Sequence, residues 1–222
     1  MLRNEKYYAI AIDGPAGAGK STIAKEVAGI LGIEYIDTGA MYRALTLKIL
    51  DQNIHISHTN SIISLLDNTK IDFLNGSIYL DDINVDIRIR SNIVSENVSY
   101  IATIEKVRNK MVLMQREMSK CKSIIMDGRD IGTVVLPDAD YKFFIIASSL
   151  ERASRRYNDL INAGESNITL EQIEESIKTR DDIDKNRDIA PLIKAEDAIL
   201  IDTTNQSITE SVDTVVSIVK RR

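Results

Sequence analysis

A glycine-rich loop between an apolar run and a helical pattern sets the narrowest limits on how this chain can fold. Residues 14–21 read Gly-Pro-Ala-Gly-Ala-Gly-Lys-Ser, which fits the spacing G-x-x-x-x-G-K-[ST]. Tyr7–Asp13 before the loop is apolar and strand-like, and Lys20–Leu31 after it carries apolar residues at helical spacing, with Gly32 as a stop. Strand, loop and helix in this order predict a phosphate site, because the loop N–H groups point inward at a helix N-terminus.

The residue types in this P-loop suggest roles toward a bound nucleoside triphosphate. Lys20 is expected to reach the β- and γ-phosphates as a catalytic cation, and the Ser21 hydroxyl is expected to ligate the Mg²⁺ that accompanies ATP. The predicted ATP-binding residues of the loop are Gly14, Pro15, Ala16, Gly17, Ala18, Gly19, Lys20 and Ser21. The sequence contains no guanine-reading N-K-x-D motif, which argues against a GTPase.

Apolar runs alternate with helical patterns along most of the chain, which predicts βαβ units, an α/β fold and a mainly parallel sheet. Besides the first strand, further strands are predicted at Ile33–Asp37, Ser123–Asp127, Tyr141–Ala147 and Ala198–Asp202. A second helix is predicted at Ala40–Leu50. Two later helices are predicted to begin at the capping boxes Thr169 with Gln172 and Ser207 with Glu210.

A small lobe interrupts this alternation at about 63–96. Ile71–Leu74 and Ser77–Leu80 flank an Asn-Gly pair at 75–76, which predicts a β-hairpin with a tight turn. We expect a single domain at 1–222, with its core at 1–62, 97–150 and 188–222 and a lid region at about 151–187.

The predicted lid contains a small, polar and flexible stretch, Asn162–Asn167. Arg152, Arg155 and Arg156 precede it on a predicted helix. One or more of these arginines should close on the phosphates of ATP, and Arg156 is our candidate among the ATP-binding residues.

Composition argues against several classes of function. The 222-residue chain has a net charge of −5, so we expect no nucleic-acid polymer as partner, and an anionic substrate must meet locally concentrated arginines. The single cysteine, Cys121, excludes an internal disulfide framework and a cysteine zinc site. The sequence has no apolar run of membrane-spanning length and no signal-peptide pattern at its start. We therefore expect a cytoplasmic protein without a membrane partner. We also expect a monomer.

Three further segments resemble signatures of the bacterial cytidylate kinases, a family of P-loop nucleoside monophosphate kinases. Residues 35–43 (YIDTGAMYR) resemble its D-[ST]-G-A-x-Y-R signature, and residues 127–135 (DGRDIGTVV) resemble its D-G-R-D-x-G-T-V-V. Residues 180–187 (RDDIDKNR) are similar to its R-D-x-x-D-x-x-R segment, and Ala190-Pro191-Leu192 follows. The resemblance runs nearly end to end and is weakest in the lobe at 63–96.

The resemblance implies a P-loop kinase fold with a central parallel five-stranded sheet flanked by helices, a CMP-side insertion in the lobe and an arginine-bearing lid. It implies ATP- and Mg²⁺-dependent phosphorylation of CMP and dCMP to CDP and dCDP, a step of pyrimidine nucleotide metabolism. A kinase for UMP or AMP is the runner-up hypothesis. A nucleotide-gated switch that binds ATP without turnover is a third, against which the complete set Arg43, Arg129, Arg180 and Arg187 argues.

Cytosine presents an amine donor and two acceptors, so a protein that reads it needs a carboxylate and a donor. By the resemblance, Asp130 with Thr38 lies near the amine, Arg108 with Ser99 lies on the acceptor side, and Asp184 binds the ribose. Ser99 and Arg108 are nine residues apart, about two and a half helical turns, and would not share one helix face. Either a helix is interrupted between them, or they reach the base from different sides.

Arginines dominate the implied phosphate contacts. By the resemblance, Arg43 and Arg129 hold the CMP phosphate, which suits the bidentate geometry of guanidinium groups. Arg180 and Arg187 fit the need to neutralise charge on the transferred phosphoryl group. The implied catalytic residues are Lys20, Arg129, Arg180 and Arg187. The implied CMP-binding residues are Thr38, Arg43, Ser99, Arg108, Arg129, Asp130, Arg180 and Asp184.

The metal ligand is the point at which the chain departs from the family pattern. Many members carry Gly-Lys-Gly-Thr where this chain has Gly-Lys-Ser-Thr at 19–22. Thr22 therefore joins the ATP-binding residues and either shares the metal role of Ser21 or takes it, and Ser21 is our choice. Asp127 is expected to hold a water ligand of the ion rather than the ion itself.

Overall fold

The computed structural model describes residues 7–74, 76–162, 164 and 168–221. The described strands are β1 (Ala9–Asp13), β2 (Glu34–Asp37), β3 (Ile71–Leu74), β4 (Ser77–Leu80), β5 (Ile83–Asn84), β6 (Ile124–Gly128), β7 (Tyr141–Ile146) and β8 (Ile199–Asp202). The described α-helices are α1 (Lys20–Leu31), α2 (Thr38–Asp51), α3 (Thr59–Asp67), α4 (Asn92–Ile101), α5 (Glu105–Met118), α6 (Ser149–Asn162), α7 (Leu170–Asn186) and α8 (Ile208–Lys220). A π-helical turn, Ile131–Val135, follows β6.

Five strands form the central sheet in the described part of the chain. They are parallel and lie in the order β2-β6-β1-β7-β8. The predicted α/β fold and five-stranded parallel sheet are therefore confirmed, and each predicted end of these strands lies within two residues of the observed one.

The central strand β1 is buried throughout, and its alternating residues face two different layers. Ile10 and Ile12 pack with apolar residues of α1 and α8 on one face. Ala9 and Ala11 lie on the other face, in a cluster that includes Ile131 of the π-helical turn. Because alanine side chains are small, this turn can contact β1 directly. The packing brings the segment after β6 close to the strand that leads into the glycine-rich loop.

The lobe contains a separate antiparallel sheet of β3, β4 and β5. The predicted hairpin strands occupy Ile71–Leu74 and Ser77–Leu80, whereas Asn75 of the predicted turn lies outside the described residues. The sequence patterns do not predict α3, which spans the expected boundary of the lobe at 62–63. The limits of the insertion and of the lid stay predictions.

Helix α8 begins at the predicted capping box. The Ser207 hydroxyl accepts a hydrogen bond from the Glu210 backbone N–H, and the Glu210 carboxylate accepts one from the Ser207 backbone N–H. We expect Ser207→Ala to lower the free energy of unfolding by about 1 kcal/mol, because an N–H group of the first turn loses its partner. Urea unfolding measures this difference. Ser217→Ala, on the exposed face of the same helix, is the control, and an equal loss in both variants would contradict the capping role.

Candidate active site

The carboxyl ends of β1, β6 and β2 meet at one edge of the central sheet. Asp13, the last residue of β1, is paired with Gly128 of β6, and Asp127 of β6 is paired with Asp37 of β2. The glycine-rich loop, the segment 127–130 and the start of α2 all leave the sheet at this edge. Ligands of open α/β sheets bind at such an edge. The glycine-rich loop, the segment 127–130 and the start of α2 are therefore brought together where a substrate is expected.

The glycine-rich loop has a backbone that only glycine accommodates at its first position. Gly14 has φ 146°, and a Cβ atom there would lie 1.9 Å from the carbonyl oxygen of Ile145. At the other end of the loop, the buried Lys20 donates from Nζ to the carbonyl oxygen of Pro15 at 2.7 Å. Burial lowers the pKa of Lys20, and Arg129 and Arg180 lower it further, although Asp127 and Asp13 oppose the shift. A bound phosphate would therefore stabilise the ammonium group.

Asp127 is held at the end of β6 by two hydroxyl groups. Ser21 Oγ donates to its Oδ2 at 2.8 Å, and the Tyr35 hydroxyl donates to its Oδ1 at 2.9 Å. Burial and the neighbouring Asp37 raise the pKa of Asp127, while Lys20 opposes the shift. Thr22 is exposed. A hydroxyl and a carboxylate are hard oxygen donors of the kind that Mg²⁺ takes together with phosphate oxygens, so these residues fit the ion.

Three arginines from three different segments gather next to Lys20. Burial lowers the pKa of Arg180 to about 9, and the charges of Arg129, Arg43 and Arg156 add to the effect. The pKa of Arg43 is also lowered, first by burial and then by Arg129, against the opposing effect of Asp37. Among the described residues, the buried Nε atoms of Arg43 and Arg180 have no hydrogen-bond partner. These two guanidinium groups can therefore donate to a bound anion.

Helix α7 supplies charged residues to this cluster from one of its faces. Arg180 and Asp184 are four residues apart on one face of the helix, and Arg187 follows directly after the last helical residue, Asn186. Asp184 Oδ2 accepts from Arg129 Nε at 2.7 Å. Burial would raise the pKa of Asp184, but Arg129 and Arg180 outweigh burial and hold the pKa below its usual value. Asp184 is therefore charged at neutral pH and fixes Arg129.

Asp130 is buried and faces two guanidinium groups. It forms an ion pair and hydrogen bond with Arg108, and its Oδ1 lies 3.5 Å from Arg187 Nη2. Arg187 also lies 3.9 Å from Asp184. These contacts place Arg187 between two carboxylates on the predicted base and ribose side of the site. The roles assigned to Arg187 and Asp130 stay predictions.

The relation of Ser99 to Arg108 is explained by an interruption between two helices. Helix α4 ends at Ile101 and α5 begins at Glu105, so the two residues are not on one helix. Arg108 turns back and donates from Nη1 to the carbonyl oxygen of Ala102 at 3.3 Å, next to the end of the helix that carries Ser99. Both residues are buried. Of the two alternatives raised by their spacing, the interrupted helix is the observed one.

Thr38 lies at the start of α2 and is joined to the end of β6. Its buried hydroxyl donates to the carbonyl oxygen of Asp127 at 2.7 Å. A Cβ atom at Gly128 would lie 2.7 Å from this hydroxyl oxygen, so the approach requires glycine at that position. This contact holds Thr38 against the segment that carries Asp130. The sequence predicts that these two residues lie together near the cytosine amine.

Asp13 is a site residue that the sequence patterns do not single out. Its carboxylate is buried and accepts hydrogen bonds from the backbone N–H groups of Ile131 and Gly132, each at 2.8 Å. Burial raises the pKa of Asp13 to about 6, although these two hydrogen bonds oppose the shift. Because Ile131 follows Asp130 directly, Asp13 fixes the backbone beside the predicted base-reading carboxylate. Its position as the last residue of a strand is the signal that could have identified it.

The three predicted lid arginines occupy different environments on α6. Arg152 is buried and Arg155 is partly buried, with its guanidinium bonded to Glu151 and Thr203. Arg156 is partly buried, and its charge contributes to the lowered pKa of Arg180. The role of Arg156 toward the phosphates of ATP stays a prediction. Residues 163 and 165–167 of the predicted flexible stretch lie outside the described residues.

Comparison with known proteins identifies relatives along nearly the whole chain. A family model described as cytidylate kinase matches residues 10–221. A cytidylate kinase from Clostridioides difficile strain 630 is 54% identical over 94% of this chain and 96% of its own length. One from Alkaliphilus oremlandii strain OhILAs is 49% identical over 97% of this chain and 99% of its own length.

Solved structures that are distant in sequence share the fold. A gluconokinase from Sinorhizobium meliloti 1021 aligns with a TM-score of 0.51 at 12% identity, over 96% of this chain and 92% of its own. An uncharacterised protein from Eubacterium ventriosum aligns with a TM-score of 0.53 at 14% identity, over 97% of this chain and 99% of its own. At such low identity these matches show the fold alone.

Proposed function

Since this chain belongs to the cytidylate kinase family, we propose that its site transfers the γ-phosphoryl group of ATP to CMP and dCMP, giving CDP and dCDP. The observation that carries the proposal is the arginine cluster of Arg43, Arg129 and Arg180 near Lys20, in which the buried Nε atoms of Arg43 and Arg180 have no hydrogen-bond partner among the described residues. Phosphates on both sides of the cluster would supply acceptors for these arginines. The protein is then a nucleoside monophosphate kinase with ATP as donor.

The residues present can do the work that phosphoryl transfer requires of a protein. The loop N–H groups and Lys20 hold the β- and γ-phosphates of the donor. Arg43 and Arg129 hold the acceptor phosphate, and Asp184 keeps Arg129 in place. Arg180, and Arg156 from the lid, neutralise charge that spreads over the moving phosphoryl group. Catalysis by this site is in-line positioning together with electrostatic stabilisation.

Mg²⁺ is the proposed cofactor, and Ser21 is its proposed protein ligand. The hydrogen bond from Ser21 to Asp127 supports this choice over Thr22, because it places the Ser21 hydroxyl beside a carboxylate that can hold a water ligand. When bound, Mg²⁺ would supply positive charge that offsets the negative charge of the phosphates. Among the described residues no group of three or more His, Cys, Asp or Glu could hold a metal.

The pocket around Asp130 is the proposed reader of cytosine. Asp130 accepts from the N4 amine with Thr38 beside it, while Arg108 and Ser99 donate to the acceptor edge. The ion pair between Arg108 and Asp130 supports this, because it places a donor and an acceptor side by side as the cytosine edge requires. Asp184 is the proposed ribose contact.

The cellular location and the oligomeric state of the protein stay predictions. No helix in the described part of the chain has both the length and the apolar character needed to cross a bilayer. We propose that the enzyme acts as a cytoplasmic monomer. Gel filtration with light scattering tests the oligomeric state.

Turnover with a panel of acceptors tests the proposed function. CMP, dCMP, UMP and AMP are each incubated with ATP and Mg²⁺, and the diphosphates are separated and quantified. We expect CDP and dCDP as the main products. Faster consumption of UMP or AMP than of CMP would indicate a different nucleoside monophosphate kinase, and ATP binding without consumption of any acceptor would indicate a nucleotide-gated switch.

Arg43 gives a prediction that separates the two nucleotide sites. We expect Arg43→Ala to raise the KM for CMP by about ten- to a hundredfold, because a charge-assisted phosphate contact is lost. The dissociation constant of ATP should stay close to wild type. Both constants are measured, and Arg88→Ala, at an exposed arginine of the lobe, is the control. An equal loss of affinity for CMP and for ATP would show that Arg43 does not act specifically on the CMP phosphate.

A further inference from the structure

Arg152 uses its whole guanidinium group inside the protein. Nε donates to the carbonyl oxygen of Ala147 at 3.0 Å, and Nη1 donates to the carbonyl oxygen of Ala16 at 3.0 Å. Nη2 lies 2.7 Å from Oδ2 of Asp181. Ala16 is in the middle of the glycine-rich loop, and a Cβ atom at Gly17 would lie 3.2 Å from the Arg152 Cβ. Arg152 therefore braces the loop from the first turn of α6.

Asp181 completes this arrangement from α7. Both partners of the ion pair are buried, with 6% of the Arg152 side chain and 8% of the Asp181 side chain exposed. Within the described residues, the second carboxylate oxygen of Asp181 has no hydrogen-bond partner. The pair with Arg152 is thus the contact that fixes Asp181. Because Arg180 precedes Asp181 directly, the same helical turn carries one end of the brace and a member of the arginine cluster.

We propose that Arg152 and Asp181 are a pair of positioning residues that join the glycine-rich loop to α7 and thereby align ATP with Arg180. The alignment of ATP with Arg180 rests on the proposed phosphoryl transfer to an acceptor. The contact of Arg152 with Ala16 bears only on ATP binding by the loop and does not depend on the identity of the acceptor. A shift of the loop on ATP binding is passed through Arg152 to Asp181. The turn of α7 that holds Arg180 then moves with it.

The geometry distinguishes this role from that of an ordinary buried ion pair. A pair that only stabilises the fold has no need to contact the nucleotide loop, and its replacement by apolar residues of similar size is often neutral for stability. Here one N–H group of the guanidinium donates to a carbonyl oxygen of the glycine-rich loop. Lysine in its place keeps a positive charge but has one nitrogen, which cannot reproduce the three-way fork.

The test uses the full chain with three variants. Arg152→Lys keeps the positive charge of the pair, and Asp181→Asn removes its negative charge. The double variant Arg152→Met with Asp181→Leu replaces the pair by apolar residues. The Tm, the dissociation constant of ATP without acceptor, the dissociation constant of CMP without ATP, and kcat are measured for each. Asp81→Asn, which removes the negative charge of the ion pair between Asp81 in the lobe and Lys48 on α2, is the matched control.

We expect Arg152→Lys and Asp181→Asn to weaken ATP binding by about tenfold or more and to lower kcat, with a smaller change in the CMP dissociation constant, because Arg152 contacts the glycine-rich loop directly and the CMP site only through Arg180. The double variant should have a Tm close to that of the wild type, but its affinity for ATP should stay as low as in the single variants. Wild-type affinity for ATP in Arg152→Lys, or its recovery in the double variant, would overturn the proposal. ATP titration needs no acceptor, so its result stands whichever nucleotide the acceptor panel identifies.

Discussion

Lys20→Ala is expected to lower kcat for CDP formation by about 10²–10³-fold, the loss usual when one preorganised donor to a developing charge is removed. Lys20 lies among Arg129 and Arg180, and its pKa is lowered by burial and by these cations. Burial disfavours its charge, so alanine should not unfold the protein. Rates at saturating ATP and CMP are measured together with the Tm.

Lys25→Ala is the matched control for this variant, because Lys25 is an exposed lysine on the same helix. We expect its kcat and Tm to equal those of the wild type. If Lys20→Ala kept a kcat close to wild type, the glycine-rich loop would not be the donor site. If it lost activity only because it unfolded, its Tm would fall in parallel.

Asp130→Asn is expected to lower kcat/KM for CMP and to reduce the CMP to UMP ratio of kcat/KM. Uracil has a carbonyl oxygen where cytosine has an amine, so the carboxylate of Asp130 would face it without a hydrogen bond. An unpaired buried charged acceptor costs roughly 1–3 kcal/mol, so the wild type should prefer CMP by about tenfold or more. Asparagine can turn its amide N–H₂ toward the uracil carbonyl, which weakens the preference.

The ratio is the appropriate readout because Asp130 also neutralises Arg108 and Arg187. Removing one partner of a buried ion pair destabilises a protein, and a smaller folded fraction would lower both rates equally. The ratio is unaffected by that fraction. Asp138→Asn, at an exposed position after the same segment, is the control. An unchanged ratio in Asp130→Asn would show that Asp130 does not read the base.

The parts of the molecule that local patterns encode could be predicted from the sequence. The helix after the glycine-rich loop occupies Lys20–Leu31 as predicted, and both capping boxes begin helices. The five strands follow from apolar runs, most clearly β1 and β6, which are buried throughout and therefore apolar on both faces. Helix α3 was missed because it is short and follows a polar loop without a capping signal.

The contacts that hold the site together could not be predicted, because they join segments far apart in the chain. Tyr35 reaches Asp127 only through the pairing of β2 with β6. Asp13 reaches Ile131 only through the packing of the π-helical turn on β1. The same holds for Arg152, whose spacing on α6 does not reveal that it braces the loop instead of facing solvent or ATP.

Direct transfer of the phosphoryl group can be followed with ATP that carries a label in its γ-phosphate. The wild type is incubated with this ATP, Mg²⁺ and CMP, and the label in CDP is compared with the amount of ADP formed. We predict that the label appears in the β-phosphate of CDP in an amount equal to the ADP. Release of the label as inorganic phosphate, with CMP unchanged, would contradict a kinase that joins ATP and CMP at this site.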